Sequence, residues 1–589
     1  MRSSFAHPPS ITIASPLRPK NQMALRTQTS VADLSPAQTT RLDQSLAALS
    51  AQKQAWAQLP IPEIISLLDE VLAALPGVEA EFMRASLAIT GGQPASPTAS
   101  EAWFNLSVLY RSLRFHRASL QRLARGLDPL PPEKLRLNAA GYLEAPLLPA
   151  SLADRIALPG IRASVWLDPA NPTQAAAYRQ PDPAGSLCVV FGGGNAAALI
   201  GVDAIQKLLV ERQVVLVKAN PVNEALIPAY RQAFAPFIRR GLLEIIASTI
   251  PEAGYLAHHP QVDELHITGS ERTYDAITFG PGEEGQGRKA QKQPILQKRF
   301  TAELGNISPV IIVPGPWSPA DLRYQSRKIG SWLIPNSGHN CLTPRMLIQH
   351  AGWDQRQTLN QSIAAFLDRN ETRPAYYPGS QDIYDDFTAA HPEAQRLGRR
   401  HEGFLPWTFI TDLDPADREE ICFTREPFIG LFSETALPAQ SIPDYIRAAV
   451  KFANQHLWGT LTASIVVHPQ SLKDPAVAQA LEEAIRDLDY GTVIVNHWGA
   501  LAYYTASTPW GGAPGRDIYD IQSGIDWVNN PYMFDAPQKS VLRAPFRQIP
   551  DPFMADARNS YPYFARDTRY QSNPSLSNLL RLLWAALRS

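Results

Sequence analysis

One cysteine and one glutamate carry the strongest chemical signal in this chain of 589 residues. Cys341 stands in the Gly/Asn-rich stretch PNSGHNCLTPR, directly before an apolar run (MLIQ) that is typical of a strand. Glu303 stands 38 residues upstream (341 minus 303), before a second strand-like run in TAELGNISPVIIV. A thiol on a turn can reach a substrate, and a carboxylate can act as its base or activate water against a thioester. Taken alone, each residue favours the ordinary interpretation of a buried small hydrophobe or a solvated strand end.

The elements around these two residues predict an α/β architecture. The apolar runs LCVVF and VVLVK flank a helical segment and indicate strands buried on both faces of a parallel sheet. LLEIIAS and ELHITGS continue the alternation of strand and helix, which is typical of a doubly wound domain. Two glycine-containing turns, GGGN at 192–195 and TGS at 268–270, end strands at one edge of this sheet. We therefore expect a ligand to approach the backbone closely at that edge.

Helices are predicted before these strands in the sequence, and a further strand and a helix after them. Helical periodicity covers residues 35–75, where Pro60 and Pro62 divide it, and a further helix is predicted over 100–126. The segment KSVLRAPFR alternates like an exposed edge strand, so we expect it to pair with another subunit or with the strand near Ser164. The last fifteen residues predict an amphipathic helix that is too short to span a bilayer.

Composition narrows the class of protein. Lys plus Arg (54) nearly balances Asp plus Glu (55), which argues against bulk attraction to nucleic acid or an anionic membrane. The three cysteines are widely spaced and form neither a disulfide framework nor a CxxC metal site. We therefore expect no metal and a reducing, cytoplasmic compartment. The apolar runs are too short or too charged for a transmembrane segment.

Two histidine patterns point to other chemistry. His339 lies two residues before Cys341, as in a thiol hydrolase, but neighbouring residues on one turn usually point apart, so we expect no local dyad. His258 and His259 lack further ligands at metal-binding spacing, and a surface pair is the expected interpretation.

The order of the motifs resembles the aldehyde dehydrogenase superfamily, from about Leu46 to Arg547. ELGNISPVIIV is similar to the family's glutamate motif and NSGHNCLTPR to its cysteine motif. HITGS, KANP and REPFIGLF are similar to its cofactor-contacting segments, and FANQHLWGTLTASIVV, GTVIVN and TPWGGAPGR follow in the family's order. Each motif is weak alone, and eight in one order make a specific signal.

The resemblance implies a role for each matching residue. Cys341 corresponds to the nucleophile, Glu303 to the general base, and Asn195 with the Cys341 backbone N–H to the oxyanion hole. The implied cofactor is NAD or NADP. The residues expected to contact it are Lys218, Gly269, Ser270, Glu426 and Phe428.

The resemblance also implies the domain organisation: a doubly wound Rossmann-like cofactor domain, an α/β catalytic domain and a β-strand oligomerisation arm. The predicted parts are a disordered leader (1–34), the N-terminal helical part of the cofactor domain (35–158), an oligomerisation hairpin (159–184), the NAD(P)-binding domain (185–305), the catalytic domain (306–520), the oligomerisation arm (521–547) and a C-terminal extension with the amphipathic helix (548–589).

Several positions depart from the family pattern. Asn195 follows three glycines, which is closer to the superfamily's acyl-thioester reductases. Pro221 stands where a glutamate would favour NAD by binding the 2′-hydroxyl, so NAD and NADP both remain open. Tyr274 replaces a glycine expected near the pyrophosphate. Residues 271–300 are predicted to form a mobile surface loop or insertion, whose part at 280–299 could cap the cofactor site.

The expected function is NAD(P)-dependent oxidation of an aldehyde to a carboxylic acid through a cysteine thiohemiacetal and thioester. Trp498, Tyr503 and Tyr504 favour an apolar or aromatic aldehyde, and the expected assembly is a homodimer or homotetramer. One alternative is an acyl-thioester (acyl-CoA) reductase or CoA-acylating aldehyde dehydrogenase. The second is a noncatalytic cofactor-binding scaffold.

Overall fold

The computed structural model describes residues 34–151, 154–155, 158–399, 403–548 and 551–587. The predicted leader therefore lies, except for its last residue, outside the described residues. Two β-sheets with helices packed around them make up the fold, as the α/β fold class predicted.

The first sheet has six strands, of which five are parallel. Their side chains are almost all buried, in accordance with the continuous apolar runs of the sequence. The strand order reverses direction at Leu187–Phe191, so the GGGN turn lies at a topological switch point, where ligands of open α/β sheets bind. In sheet order the strands are Gly524–Ile525, Arg299–Glu303, Glu264–Thr268, Leu187–Phe191, Val214–Lys218 and Leu243–Ile246.

Helices cover this sheet, and two long ones precede it. The prolines divide the first helical region as predicted, because Ile61–Thr90 begins directly after Pro60. The third predicted helix is confirmed as Pro97–Leu123, with Ser96 as its N-cap. The α-helices of this half are Pro36–Ser50, Lys53–Ala57, Ile61–Thr90, Pro97–Leu123, Leu199–Ile205, Ile227–Ala233, Ala235–Arg239, Ile250–His258, Glu271–Phe279 and Gly282–Ala290.

Residues 271–300 correct one prediction. They are not a loop, because they contain the helices Glu271–Phe279 and Gly282–Ala290, which pack beside each other. An ion pair between Arg288 and Glu284, four residues apart, supports this glycine-rich helix. Lys289 contacts Glu271 at 3.4 Å and Asp275 at 2.8 Å, which ties the two helices together.

The second sheet has eleven strands, and its central seven are parallel. Three apolar clusters fill the space between its faces and the helices. In sheet order the strands are Arg136–Leu137, Leu143–Leu148, Arg162–Leu167, Pro537–Arg543, Thr492–Val495, Thr462–Val466, Ser308–Ile312, Pro344–His350, Leu431–Leu437, Trp407–Leu413 and Gln395–Leu397.

The strand from KSVLRAPFR lies inside this sheet. Pro537–Arg543 pairs with Arg162–Leu167 on one side, which confirms the predicted pairing near Ser164. On its other side it pairs with Thr492–Val495, so the prediction of an exposed edge strand is wrong. Both edges of the strand are occupied within the chain, and the expected homo-oligomer remains a prediction.

The helices of the second half lie around the larger sheet and beyond it. Among the described residues, no helix is both long and apolar enough to cross a membrane. The α-helices are Pro319–Leu333, Arg356–Arg369, Ser380–Ala390, Ile421–Thr424, Ile442–His456, Pro475–Asp487, Gly499–Thr505, Ser560–Ser572 and Leu576–Ala586.

The C-terminal extension packs on the chain itself. Ser560–Ser572 lies along Pro97–Leu123, and the predicted amphipathic helix, Leu576–Ala586, packs on Ser560–Ser572. A buried ion pair joins the first two of these helices, with 2.7 Å between Arg111 Nη2 and Asp567 Oδ1. Asp567 also accepts a hydrogen bond from Ser107, and it is 0 % exposed.

We expect Asp567→Ala to destabilise the protein by about 3–5 kcal/mol, because it leaves the Arg111 charge buried without its partner. The control is Asp556→Ala, which removes a half-exposed ion pair with Arg327 and should change stability by less than about 1 kcal/mol. The guanidinium midpoint of unfolding, followed by tryptophan fluorescence, measures both. Equal shifts in the two variants would contradict this account of the extension.

Candidate active site

The chain passes from one sheet to the other directly at the candidate site. Glu303 is the last residue of Arg299–Glu303, and only residues 304–307 separate it from Ser308–Ile312 in the second sheet. Cys341 precedes Pro344–His350, the strand that pairs with Ser308–Ile312. The Ser308 hydroxyl donates to the Cys341 carbonyl at 3.4 Å. Sheet pairing therefore brings the carboxylate and the thiol to one place.

The backbone before Cys341 has an unusual conformation. Asn336, Ser337 and Gly338 have φ values of 51°, 58° and 81° in succession, a region that L-residues rarely adopt. A Cβ at Gly338 would collide with the carbonyl oxygen of Ile429. Conformations of this kind persist only where the surroundings hold them, and they concentrate at functional sites.

Arg345 stabilises this turn through hydrogen bonds to its backbone carbonyls. Its guanidinium is 1 % exposed and donates to the carbonyl of Gly338 at 2.6 Å and of Asn340 at 3.3 Å. It also donates to the carbonyls of Ile429 and Leu431 in the neighbouring segment. Burial lowers the pKa of Arg345 to about 10, so the group stays charged and can continue to donate.

Asn195 reaches the same turn from the switch point of the first sheet. Its carbonyl accepts hydrogen bonds from Asn336 Nδ2 at 3.0 Å and from the Tyr376 hydroxyl at 3.2 Å. Asn195 therefore lies against the cysteine turn, and it lines the same cavity as Cys341 and Glu303.

Glu303 is buried at 3 % exposure and touches the cysteine. Burial raises the pKa of the Glu303 carboxyl to about 7, and hydrogen bonds from the Cys341 thiol and the Trp510 indole work in the opposite direction. The indole Nε1 lies 3.3 Å from Glu303 Oε1. A carboxyl that titrates near neutrality next to a thiol is suited to general base catalysis.

The Cys341 thiol is held in its protonated form. Burial raises its pKa well above the ordinary value, and the carboxylates of Glu303 and Glu426 raise it further. Burial also raises the pKa of Glu426, to about 8, with Arg345 opposing the shift. The thiol therefore needs a base beside it to react, and Glu303 is in contact with it.

Cys341, Glu303 and Asn195 line a largely apolar cavity. Its empty space, about 960 Å³ with the part that is open to solvent, is bordered mainly by apolar side chains, as in small-molecule sites. Trp498 and Tyr503 line it as the sequence suggested. Tyr504 does not line it, because this side chain is fully buried and its hydroxyl accepts a hydrogen bond from Arg111. Residues of the C-terminal extension also line this cavity, which no motif had indicated.

His339 does not form a dyad with Cys341, as expected. Its ring nitrogens bond to the Asn336 carbonyl at 2.8 Å and the Ser380 hydroxyl at 2.9 Å. Burial lowers its pKa to about 4, so the ring is neutral.

One cluster away from the cavity has metal-like spacing. His391, Glu420 and Cys422 bring three ligand atoms within 4.8 Å of one another. Glu420 Oε1, however, already accepts hydrogen bonds from the His391 ring at 2.9 Å and the Cys422 backbone N–H at 2.8 Å. The cluster is satisfied by its own hydrogen bonds, and we assign no metal to it.

The residues expected at the dinucleotide follow the switch-point edge. Lys218 ends the strand next to Leu187–Phe191 on one side, and Gly269 and Ser270 follow the strand on the other. Ser270 caps the exposed N-terminus of Glu271–Phe279 and accepts from the Thr273 N–H. A lysine and a helix N-terminus at one edge suit the phosphates of a dinucleotide.

Glu426 and Phe428 approach this edge from the second sheet. Glu426 lies against Gly305, where it leaves no room for a Cβ, and its buried Oε1 has no hydrogen-bond partner. Phe428 packs on Tyr377, with ring centroids 5.1 Å apart. Tyr377 in turn hydrogen-bonds to the backbone of Gly194. An unpaired carboxylate oxygen between the two sheets fits the hydroxyl groups of a ribose.

Sequence reasoning missed three contributors to the site. Trp510 lies in the TPWGGAPGR motif, but nothing in that motif indicated a bond to Glu303. Arg345 is the last residue of the cysteine motif, and a cation next to a Gly-rich turn is the signal that could have identified it. Tyr377 comes from the segment RPAYYPGS, whose tandem tyrosines gave no signal of their own.

No protein-family model and no curated protein matches this chain. Solved structures do match over most of its length. An aldehyde dehydrogenase C mutant from Pseudomonas syringae, in complex with NAD+ and octanal, matches with a TM-score of 0.59 at 15% identity, covering 88% of this chain and 90% of that one.

Two further structures match equally broadly. A salicylaldehyde dehydrogenase from Pseudomonas putida G7, with salicylaldehyde, has a TM-score of 0.57 at 16% identity and coverage of 87% and 92%. An NADP-dependent glyceraldehyde-3-phosphate dehydrogenase from Bacillus halodurans C-125, with NADP, has a TM-score of 0.54 at 15% identity and coverage of 85% and 91%. The chain therefore has the aldehyde dehydrogenase fold.

The raised pKa of Cys341 predicts slow alkylation at neutral pH. We expect the rate of reaction with iodoacetamide to rise with pH to a midpoint above the ordinary thiol pKa of about 8.5. Glu303→Gln should lower that midpoint, because it removes a carboxylate that disfavours the thiolate. Peptide mass spectrometry over a pH series measures the labelling.

Cys341→Ala is the control for this labelling, because Cys188 and Cys422 are buried and should stay unlabelled in the folded protein. A midpoint that is the same with and without the Glu303 carboxylate would show that the two groups do not interact.

Proposed function

We propose that this protein is an NAD(P)-dependent aldehyde dehydrogenase that oxidises an aldehyde to a carboxylic acid through Cys341. One observation carries the proposal: the Glu303 carboxyl, whose pKa burial raises to about 7, lies beside the Cys341 thiol in a cavity that Asn195 also lines. The aldehyde dehydrogenase fold supports the same reaction class.

Attack on the aldehyde begins with the thiol proton. Glu303 takes this proton as the Cys341 sulfur attacks the carbonyl carbon, which gives a thiohemiacetal. The developing alkoxide is stabilised by the Asn195 side-chain amide and the Cys341 backbone N–H. Loss of one such donor typically costs about 3 kcal/mol of transition-state stabilisation.

Release of the product uses the same carboxylate. Once the thiohemiacetal is oxidised to a thioester, Glu303 releases the thiol proton to solvent and then takes a proton from the attacking water; a pKa of about 7 suits this task at neutral pH. Trp510 orients the carboxylate through its indole N–H. The acid leaves, and the Cys341 thiol is restored.

The cofactor we propose is NAD or NADP, whose nicotinamide ring supplies the hydride acceptor when bound. Lys218, Gly269 and Ser270 would hold its adenosine and phosphate end, and Glu426 and Phe428 its nicotinamide end. Structures of this fold were obtained with NAD+ and with NADP, which supports either choice.

The alternative is transfer of the acyl group to CoA, or reduction of an acyl thioester. The glycines before Asn195 keep this alternative open. The contact between Glu303 and Cys341 favours water as acceptor, because a base placed at the thioester activates water directly. A noncatalytic scaffold would have no need for a buried, protonated thiol beside a carboxylate.

Compartment and assembly are proposals as well. Cys188, Cys341 and Cys422 are all free, which suits a reducing compartment such as the cytoplasm. A homodimer or homotetramer stays our expectation from the sequence.

Kinetics with purified protein test the proposed function. We expect reduced dinucleotide to form from an apolar aldehyde with NAD or NADP, without CoA, and Cys341→Ala to abolish its formation. At a pH where its Cys341 thiol is ionised, Glu303→Gln should retain a burst of about one equivalent followed by slow turnover, because only the water step then needs the carboxylate. Stopped-flow absorbance records both phases.

Cys422→Ala is the matched control and should keep the wild-type rate. Substantial turnover by Cys341→Ala would refute the proposal, and a strict requirement for CoA would move it to the alternative reaction.

A further inference from the structure

We propose that the C-terminal extension forms a specificity wall for this cavity and selects aldehydes with an extended apolar tail. The inference rests on the proposed function and deepens it by naming the substrate class. We define the C-terminal wall as the extension residues that line the cavity: Pro552, Phe553, Met554, Ala555, Ser560 and Phe564.

The wall and the reactive groups border one space. Cys341, Glu303 and Asn195 line the same cavity as the C-terminal wall, although the wall follows Cys341 by more than 200 residues. The helix Pro97–Leu123 provides the adjoining side through Phe104. A molecule that reacts at the sulfur therefore lies against the extension.

The cavity offers no unpaired charge to a substrate tail. Its two charged lining residues besides Glu303 are Glu101 and Arg373, and these form an ion pair with each other. Glu101 also accepts the Asn336 backbone N–H at 3.0 Å. An anionic or cationic tail would lose its water without gaining a partner, whereas an apolar tail gains from burial.

Ring contacts, a hydrogen bond and an ion pair fix the C-terminal wall to the rest of the protein. The Phe553 ring contacts Tyr504 at 5.4 Å between centroids, and Phe564 contacts Phe104 at 5.5 Å. The backbone N–H of Ala555 donates to the Ser331 hydroxyl at 3.0 Å. The buried Arg111–Asp567 pair fastens the following helix, so the shape of the wall is fixed before a substrate arrives.

Simple core packing does not explain this arrangement. Protein interiors are close-packed and leave few voids larger than a water molecule. Here aromatic and aliphatic side chains of the helix Pro97–Leu123 and of the C-terminal wall border open space instead of filling it. An apolar tail that extends from Cys341 along the wall would occupy that space.

A chain-length series with two matched variants tests the inference. In the wild type, kcat/KM should rise with the length of unbranched aldehydes from propanal to decanal, by about fourfold per methylene, the equivalent of about 0.8 kcal/mol. Ala555→Phe places a ring in the cavity and should reduce kcat/KM for decanal at least about tenfold more than for propanal.

The matched control is Ala557→Phe, two residues along the same segment and outside the cavity lining, which should leave the decanal-to-propanal ratio unchanged. Melting temperatures of both variants show whether the fold is kept. An unchanged ratio in Ala555→Phe with the fold intact would overturn the inference, and so would an equal change in both variants.

Binding of 1-decanol, which cannot be oxidised through Cys341, separates this inference from the proposed function. Calorimetry should show decanol binding to the wild type and to Ala557→Phe, with affinity reduced at least about tenfold in Ala555→Phe. If the wild type oxidises no aldehyde but decanol binding follows this order, the proposed function fails and the wall stands. Decanol binding that neither substitution affects would refute the wall itself.

Discussion

The site depends on one constraint, the contact between Glu303 and Cys341 at the junction of the two sheets. Burial raises the pKa of both groups, to about 7 for the Glu303 carboxyl and well above the usual range for the Cys341 thiol, whose pKa the Glu303 carboxylate raises further. The four residues between Glu303 and Ser308 leave the chain no freedom to separate the sheets at this point. The protein therefore keeps an unreactive thiol next to the base that can activate it.

Much of this arrangement was predictable, because the chemistry lies where buried strands end. The apolar runs defined the strands, and parallel strands deliver the residues that follow them to one sheet edge. That logic places Asn195, Lys218 and Ser270 together without knowledge of side-chain contacts. It says little about depth: the sequence did not show that Glu303 is only 3 % exposed, and it is this burial that raises its pKa.

Other features could not be predicted because their causes lie far away in the chain. Pro537–Arg543 has an alternating pattern that suggests an edge, but its two neighbours come from 45 and more than 350 residues earlier. Residues 282–290 have three glycines, and the ion pairs that support their helix were not visible as helix signals. The C-terminal wall could not be predicted either, because its aromatic residues are positioned by packing against Phe104 and Tyr504, which are distant in sequence.

The central claim is that Cys341 carries the acyl group during oxidation. Mass spectrometry of the Glu303→Gln protein tests it directly: the protein is mixed with decanal and oxidised dinucleotide at a pH where its Cys341 thiol is ionised and needs no base, and is then digested under acid. The account predicts that the peptide containing Cys341 gains the mass of decanal less two hydrogens, as a thioester requires. A digest in which that peptide is unmodified, or in which the acyl group sits on Cys188 or Cys422, would contradict it.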